Sequence, residues 1–250
     1  MINNNSATTG GIATNSITSD LSEILTLSEI AQYLKVSDKT ILRMVGKGEI
    51  PAHKISSQWR FQRTAIDQWL TAKMQDRSDD ELVGVIQTAP KITPIVKLVS
   101  SDRIIMNLEP GDKPAILKQL IQPLIDGDLL EDQEKFLQLL IDREDMGSTG
   151  IGDGVAVPHV REQEDCGIRK TCMVLGLSRD GIDFDSLDNE PTHIFMLLCA
   201  GSAVVHLRLL AKSMLMLRQP GALNDFRRCL DKSEVMDLLI KAHFDLSIKF

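Results

Sequence analysis

The sequence predicts an α/β protein made of two folded parts, and three observations carry that reading. The chain has 250 residues, 43% of them hydrophobic and 25% charged, which suits one large globular domain or two smaller ones. Between residues 24 and 73, short helical patterns enclose an alternating, hairpin-like stretch. From residue 94 onward, helical patterns alternate with apolar runs of strand length, which argues for a layered α/β domain with a mixed sheet flanked by helices. The expected division is a disordered tail over 1–23, a small domain over 24–73, a linker over 74–93 and the α/β domain over 94–250.

The tail is rich in Asn, Ser, Thr and Gly and has too few large apolar residues to order itself. In the small domain Thr26 and Glu29 have the spacing of a capping box, and Leu27, Ile30, Ala31 and Leu34 follow helical periodicity. A turn at Lys35-Val36-Ser37 leads to a second helix from Asp38 to Val45, with Ser37 as its cap and Ile41, Leu42 and Val45 expected inside. Gly46, Gly48 and Pro51 end it. His53-Lys54-Ile55 and Trp59-Arg60-Phe61 read as a hairpin around Ser56-Ser57-Gln58, and a closing helix from Thr64 carries Ile66, Trp69 and Leu70. Trp59 and Trp69 are expected in the core.

Helix, turn, helix, hairpin wing and helix form a winged helix-turn-helix layout. The stretch LTLSEIAQYLKVSDKTILRMVGKGEIPAHKISSQWRFQRTAIDQWL resembles the excisionase/MerR-like helix-turn-helix DNA-binding family throughout its length. The whole chain carries a formal charge of −7, which gives no support to nucleic-acid binding by the entire surface. Residues 25–73, however, hold eight basic and four acidic residues, a local excess of positive charge suited to phosphate backbones. Lys39, Thr40 and Arg43 fall on a helix face away from the apolar stripe and are the candidates for reading a groove of duplex DNA. Lys54 and Arg60 on the wing are candidates for backbone contacts. The alternative is a charged docking face for protein.

The linker is polar from Asp76 to Glu81 and interrupted by Pro90, with Leu82–Ile86 undecided between strand and helix. In the second domain, extended and turn segments from Ile95 to Leu108 precede a helix over Lys113–Ile125, with Ile116, Leu117, Leu120, Ile121 and Leu124 inward. A helix over Asp132–Arg143 turns Phe136, Leu137, Leu140 and Ile141 inward. Strands are expected over Thr171–Leu177 and Thr192–Ala200, and helices over Val205–Leu217 and Lys232–Ala242.

Between the second of these helices and the first strand lies the densest chemistry. Gly147 to Gly154 holds four glycines in eight residues, and a short apolar run then leads to Pro158 and His159. Such glycines let backbone amides face an anion, and a neutral imidazole is a competent nucleophile near neutral pH. STGIGDGVAVPH, preceded by the arginine of DRED and followed by HLRLLAKSMLML, resembles the type 2 IIA domain of bacterial sugar phosphotransferase systems, in its nitrogen-related and fructose/mannitol variety. The resemblance covers Pro94 to the C-terminus. It implies that His159 is phosphorylated at Nε2, that Arg143 steadies the phosphoryl group and that His206 lies beside His159. Gly150 and Gly152 would supply amides, and Ser148 and Thr149 either donate to phosphate or hold the turn. His53, His193 and His243 match nothing in the pattern. Val160 stands where the family commonly has glycine, and Cys199-Ala200-Gly201 replaces a proline-containing loop.

The resemblance implies no cofactor and no metal, because positioning and charge stabilisation suffice for this transfer. It implies a histidine-phosphorylated (HPr-like) carrier protein as donor, with a regulatory protein as a further candidate partner. The expected function is a regulatory phosphocarrier; the alternatives are a relay passing phosphate to a separate sugar permease and a pseudo-carrier that binds without being modified. Cys166, Cys172, Cys199 and Cys229 show no CxxC pairing and read as buried thiols of a reducing cytoplasm. No apolar run approaches the roughly 20 residues of a membrane span, and no secretory signal is visible, so a cytoplasmic location is expected.

Overall fold

A computed structural model describes residues 24–34, 36–63, 65–66, 69–70, 73, 94–160 and 166–248. The expected tail, the linker with Leu82–Ile86, and the start of the closing helix at Thr64 lie outside the described residues. The chain divides into two compact units, Met1–Trp69 and Leu70–Phe250.

The first unit opens with β1 (Ile24–Leu25), α1 (Leu27–Tyr33) and α2 (Asp38–Gly46). Thr26 caps α1 in a full capping box: its side chain accepts from Glu29 N while its own amide donates to Glu29 Oε2 at 2.7 Å. Ser37 caps α2 by accepting from Thr40 N at 3.2 Å. The wing is β2 (His53–Ile55) and β3 (Gln58–Gln62), antiparallel, and β3 also pairs with β1 to give the order β1-β3-β2. The hairpin turn is two residues, not three. Ser56 and Ser57 both sit at positive φ, 46° and 67°, the left-handed pair that matches strand twist, so Gln58 belongs to the strand. Ile30, Ala31, Ile41, Ile50, Phe61 and Ile66 form the core. Two expectations are corrected here. Leu42 is 45% exposed rather than inside, because Ile41 already fills this small core from α2. Trp59 and Trp69 are half-buried at its margin, the latter donating from Nε1 to Glu49 O at 2.7 Å.

The second unit is a five-stranded mixed sheet of order β4-β7-β8-β6-β5, built from β4 (Ile104–Ile105), β5 (Gly150–Gly152), β6 (Val155–Ala156), β7 (Cys172–Ile182) and β8 (Thr192–Cys199). The β4–β7 and β6–β8 pairs are parallel, and β7–β8 and β5–β6 are antiparallel. Strand β7 runs five residues beyond the expected Leu177, since its far end continues pairing to Thr192 after an irregularity.

Helices cover both faces, which explains why β7 and β8 read as continuous apolar runs rather than alternating ones. On one face lie α3 (Lys113–Asp126) and α4 (Gln133–Asp145). Ile116, Leu117, Leu120, Ile121, Leu124, Phe136 and Leu140 pack there against Val174, Phe195 and Leu197. Leu137 and Ile141 are only partly buried. Asp132, expected as the first residue of α4, is instead its cap, accepting from Lys135 N at 2.9 Å. Opposite lie α5 (Ala203–Leu217), α6 (Ala222–Arg228) and α7 (Lys232–Ile248), packed on Met173, Leu175, Ile194, Met196 and Leu198. Gly176 has a reason to be glycine: an added Cβ would meet Leu108 Cδ1 at 2.6 Å and Leu120 Cδ2 at 2.8 Å. All four cysteines are free and buried. No helix among the described residues is long and apolar enough to cross a membrane.

Candidate functional site

The glycine-rich stretch folds as a hairpin, not as a cradle of free amides. Strands β5 and β6 are joined by Asp153-Gly154, at φ 53° and 73°, a two-residue turn that this dipeptide suits. Gly150 N donates to Ser148 Oγ at 3.0 Å, so that amide is taken. Ser148 Oγ in turn donates to Phe184 O at 2.6 Å. Thr149 donates from N and Oγ1 to the Glu144 carboxylate at 2.9 and 2.6 Å. Both hydroxyls therefore hold the turn, the second of the two roles open to them. Gly150 is glycine because Ser186 packs on it, with an added Cβ only 2.6 Å from Ser186 Oγ. Gly152, at φ 93°, needs glycine for its backbone conformation.

The hairpin delivers His159. Beyond β6, Pro158 O accepts from Leu198 N at 3.0 Å, and His159 bridges in parallel to Leu198 of β8. Where β8 ends, Ser202 caps α5 by accepting from Val205 N, and the first turn of α5 brings in His206. The two rings stand 4.5 Å apart between centroids, inclined by 34°, and both residues are 6% exposed. Arg143, in the last turn of α4, is 4% exposed and donates from Nη1 to Gly147 O at 2.9 Å. Residues 143, 159 and 206, far apart in sequence, thus converge in one buried place.

The electrostatics of this place favour neutral imidazoles. Burial first, then the charge of His206 and that of Arg143, hold His159 well below the ordinary histidine range; the hydrogen bond to Val157 opposes them. Burial, with Arg143 second, lowers His206 to about 4. His159 Nδ1 lies 2.8 Å from Val157 O. A carbonyl can only accept, so the proton resides on Nδ1 and the Nε2 lone pair is free for attack. Among the described residues His206 Nδ1 is a buried polar atom with no protein hydrogen-bond partner. No group of three or more His, Cys, Asp or Glu is placed to hold a metal among the described residues.

In the first unit, Lys39 and Arg43 are exposed on α2, and Arg43 pairs with Glu49 at 3.7 Å. Thr40 is half-buried, its Oγ1 2.9 Å from Ser37 Oγ. Lys54 lies 5.7 Å over the Trp59 ring, and Arg60 donates to Trp59 O and Gln58 Oε1. Sequence reasoning missed two residues here and there. Leu42 is 45% exposed on α2, and Glu144, next to Arg143 in the chain, is 3% exposed.

Comparison with known proteins agrees with this division. Residues 24–74 match the family model described as a helix-turn-helix domain, and residues 97–242 match that of the phosphoenolpyruvate-dependent sugar phosphotransferase system, EIIA 2. A nitrogen regulatory protein of Pseudomonas aeruginosa is 31% identical over 149 residues, which is 58% of this chain and 86% of that one. The fructose-specific EIIABC component of Bacillus subtilis is 29% identical over 149 residues; the match takes 58% of this chain but only 22% of that longer protein. Among solved structures, the nitrogen regulatory protein IIA of Neisseria meningitidis superposes with a TM-score of 0.53 at 23% identity, over 59% of this chain and 99% of that one. The mannitol enzyme IIA of Escherichia coli, in complex with phosphorylated enzyme IIB, gives 0.52 at 18% identity, over 57% and 97%. With the family model spanning more than half of its length, this chain belongs to the phosphoenolpyruvate-dependent sugar phosphotransferase system EIIA 2 family and carries an N-terminal helix-turn-helix domain.

Proposed function

We propose that this protein is a regulatory phosphocarrier that takes a phosphoryl group on His159 Nε2 from a histidine-phosphorylated carrier protein. The observation that carries the reading is the buried pair His159–His206, 4.5 Å apart, with Arg143 charging the same space. The Nε2 lone pair attacks phosphorus in line with the donor's P–N bond, which breaks and leaves its electron pair on the donor imidazole. Nδ1 keeps its proton on Val157 O, so the acceptor needs no base. Arg143 and His206 stabilise the three equatorial oxygens. Burial of both rings strengthens those interactions by excluding water.

The helix-turn-helix domain is proposed to bind duplex DNA through Lys39, Thr40 and Arg43, with Lys54 and Arg60 on the flanking phosphates. The two functions would be coupled, the roughly two added negative charges altering a protein or DNA contact. Similarity to the nitrogen regulatory protein of Pseudomonas aeruginosa supports a regulatory role. Residues 94–250 are proposed as the phosphoryl-accepting domain and 24–73 as the DNA-binding one.

Intact-mass analysis after incubation with phosphoenolpyruvate, the general phosphotransferase enzyme and its histidine carrier tests the chemistry. One acid-labile phosphoryl group is expected on the wild type and none on His159→Ala; an unmodified wild type overturns the proposal. Binding of the full chain to duplex DNA should fall with salt. Arg43→Ala should weaken it and relax its sequence preference, whereas Lys54→Ala should reduce the logarithmic salt slope by about 1. No binding at low salt sinks the DNA reading.

A further inference from the structure

Glu144 has no part in the transfer just described, yet it is a nearly fully buried carboxylate beside the site. Desolvating a carboxylate is costly unless its oxygens are satisfied. Here they are: Thr149 N and Oγ1 donate to Oε1 and Oε2, and Lys113 Nζ stands 3.5 Å from Oε1. Lys113 is itself held at 2.7 Å by Asp185.

The bonds do not stop at Thr149. Its carbonyl accepts from Val157 N at 2.9 Å, one step beyond the paired part of the β5–β6 hairpin. The Val157 carbonyl is the acceptor 2.8 Å from His159 Nδ1. Three links therefore join the buried carboxylate to the imidazole: Glu144 to Thr149, Thr149 to Val157, Val157 to His159. Among the described residues the Val157 carbonyl is the hydrogen-bond partner shown for the His159 ring, and it fixes which nitrogen carries the proton.

We propose that Glu144 is a positioning residue for the phosphoryl-accepting nitrogen. By clamping Thr149, it fixes the Val157 carbonyl, which keeps His159 as the Nδ1–H tautomer with Nε2 aimed into the site. This rests on the proposed acceptor role of His159. Lys113, 3.5 Å from Oε1, adds a third partner to the carboxylate that receives these two donors. A residue that only stabilised the hairpin would change the melting temperature and leave the ring's tautomer untouched.

The test is nitrogen NMR of ring-labelled histidine in the full chain, paired with single-turnover phosphorylation by the histidine carrier. In the wild type, His159 should give the Nδ1–H pattern alone. Glu144→Ala should mix the two tautomers and slow transfer by about tenfold to a hundredfold, in line with small misplacements of a reacting group. Glu144→Gln, which keeps one acceptor for Thr149, should recover most of both. Thr149→Val removes only the hydroxyl link and should shift both readouts less, and this milder variant serves if Glu144→Ala does not fold. The Nδ1–H tautomer alone and an unchanged rate in folded Glu144→Ala, or in Thr149→Val where Glu144→Ala does not fold, overturns the proposal. A wild type that accepts no phosphoryl group defeats the acceptor reading itself, and the positioning role with it.

Discussion

Lowering the pH from 8 to 5 charges an ordinary histidine but leaves the buried pair neutral. With an unperturbed pKa of about 6.5, an exposed imidazole is roughly 97% protonated at pH 5. At about 4, His206 is only about a tenth protonated there, and His159 is pushed in the same direction by the same burial. The sign for stability follows from linkage. Each folded pKa lies below the unfolded one, so the unfolded chain binds the proton first. Stability is complete above about pH 6.5 and is lost as pH falls towards 4, by about 3 kcal/mol from His206 alone. Ring NMR should show both histidines failing to titrate between pH 8 and 5. Urea melts should give lower stability at pH 5 than at 7.5. Removing the Arg143 charge by Arg143→Ala should raise both values, yet leave them below 6.5, because burial is the larger cause. Titration of either ring near 6.5 in the folded wild type would refute the reasoning.

Other substitutions probe the frame that holds the pair. Gly150→Ala would drive a Cβ to 2.6 Å from Ser186 Oγ and 2.9 Å from its Cα, and should cost about 1–3 kcal/mol in denaturant melts while slowing phosphorylation. Ser56→Asn with Ser57→Gly gives the wing turn the residues its two positive φ angles favour, and should stabilise the chain by up to about 1 kcal/mol, read as a higher urea midpoint. Leu120→Ala opens the packing of α3 on β7 and should cost about 2–5 kcal/mol by the same measurement.

Long periodic elements were readable in the sequence, and contacts made by distant segments were not. The inward residues of α3 were evident because Ile116, Leu117, Leu120, Ile121 and Leu124 repeat at helical spacing. Strand β1 was invisible, since two residues have no period. Leu42 shares its stripe with Ile41 and Val45, and only the small size of the finished core puts it outside. The glycine run looked like an anion loop because hairpin turns and phosphate loops use the same residue for the same backbone freedom. Asp153-Gly154, flanked by apolar residues, was the signal that favoured the hairpin.

At the site, His159, Arg143 and His206 came from family resemblance. Pattern alone supplies a proline before a histidine, but not the approach of a ring 47 positions later, which depends on where β8 stops and α5 starts. Glu144 was hidden in a run of charges that reads as a solvated helix end. Its hint was a threonine five residues on, next to the glycines.

The bridge from His159 to Leu198 has a consequence for how a phosphorylation signal could travel. Strand β8 lies in the middle of the sheet, with helices on either face, so the Leu198 amide bonded to Pro158 O is expected among the last to open in hydrogen exchange. If His159 is the acceptor proposed above, a ring anchored there would keep its place on being charged. The message would then leave as a change of potential at a fixed point on a rigid body, read by whatever docks over it, and the barrier to transmission would be one of encounter rather than of refolding.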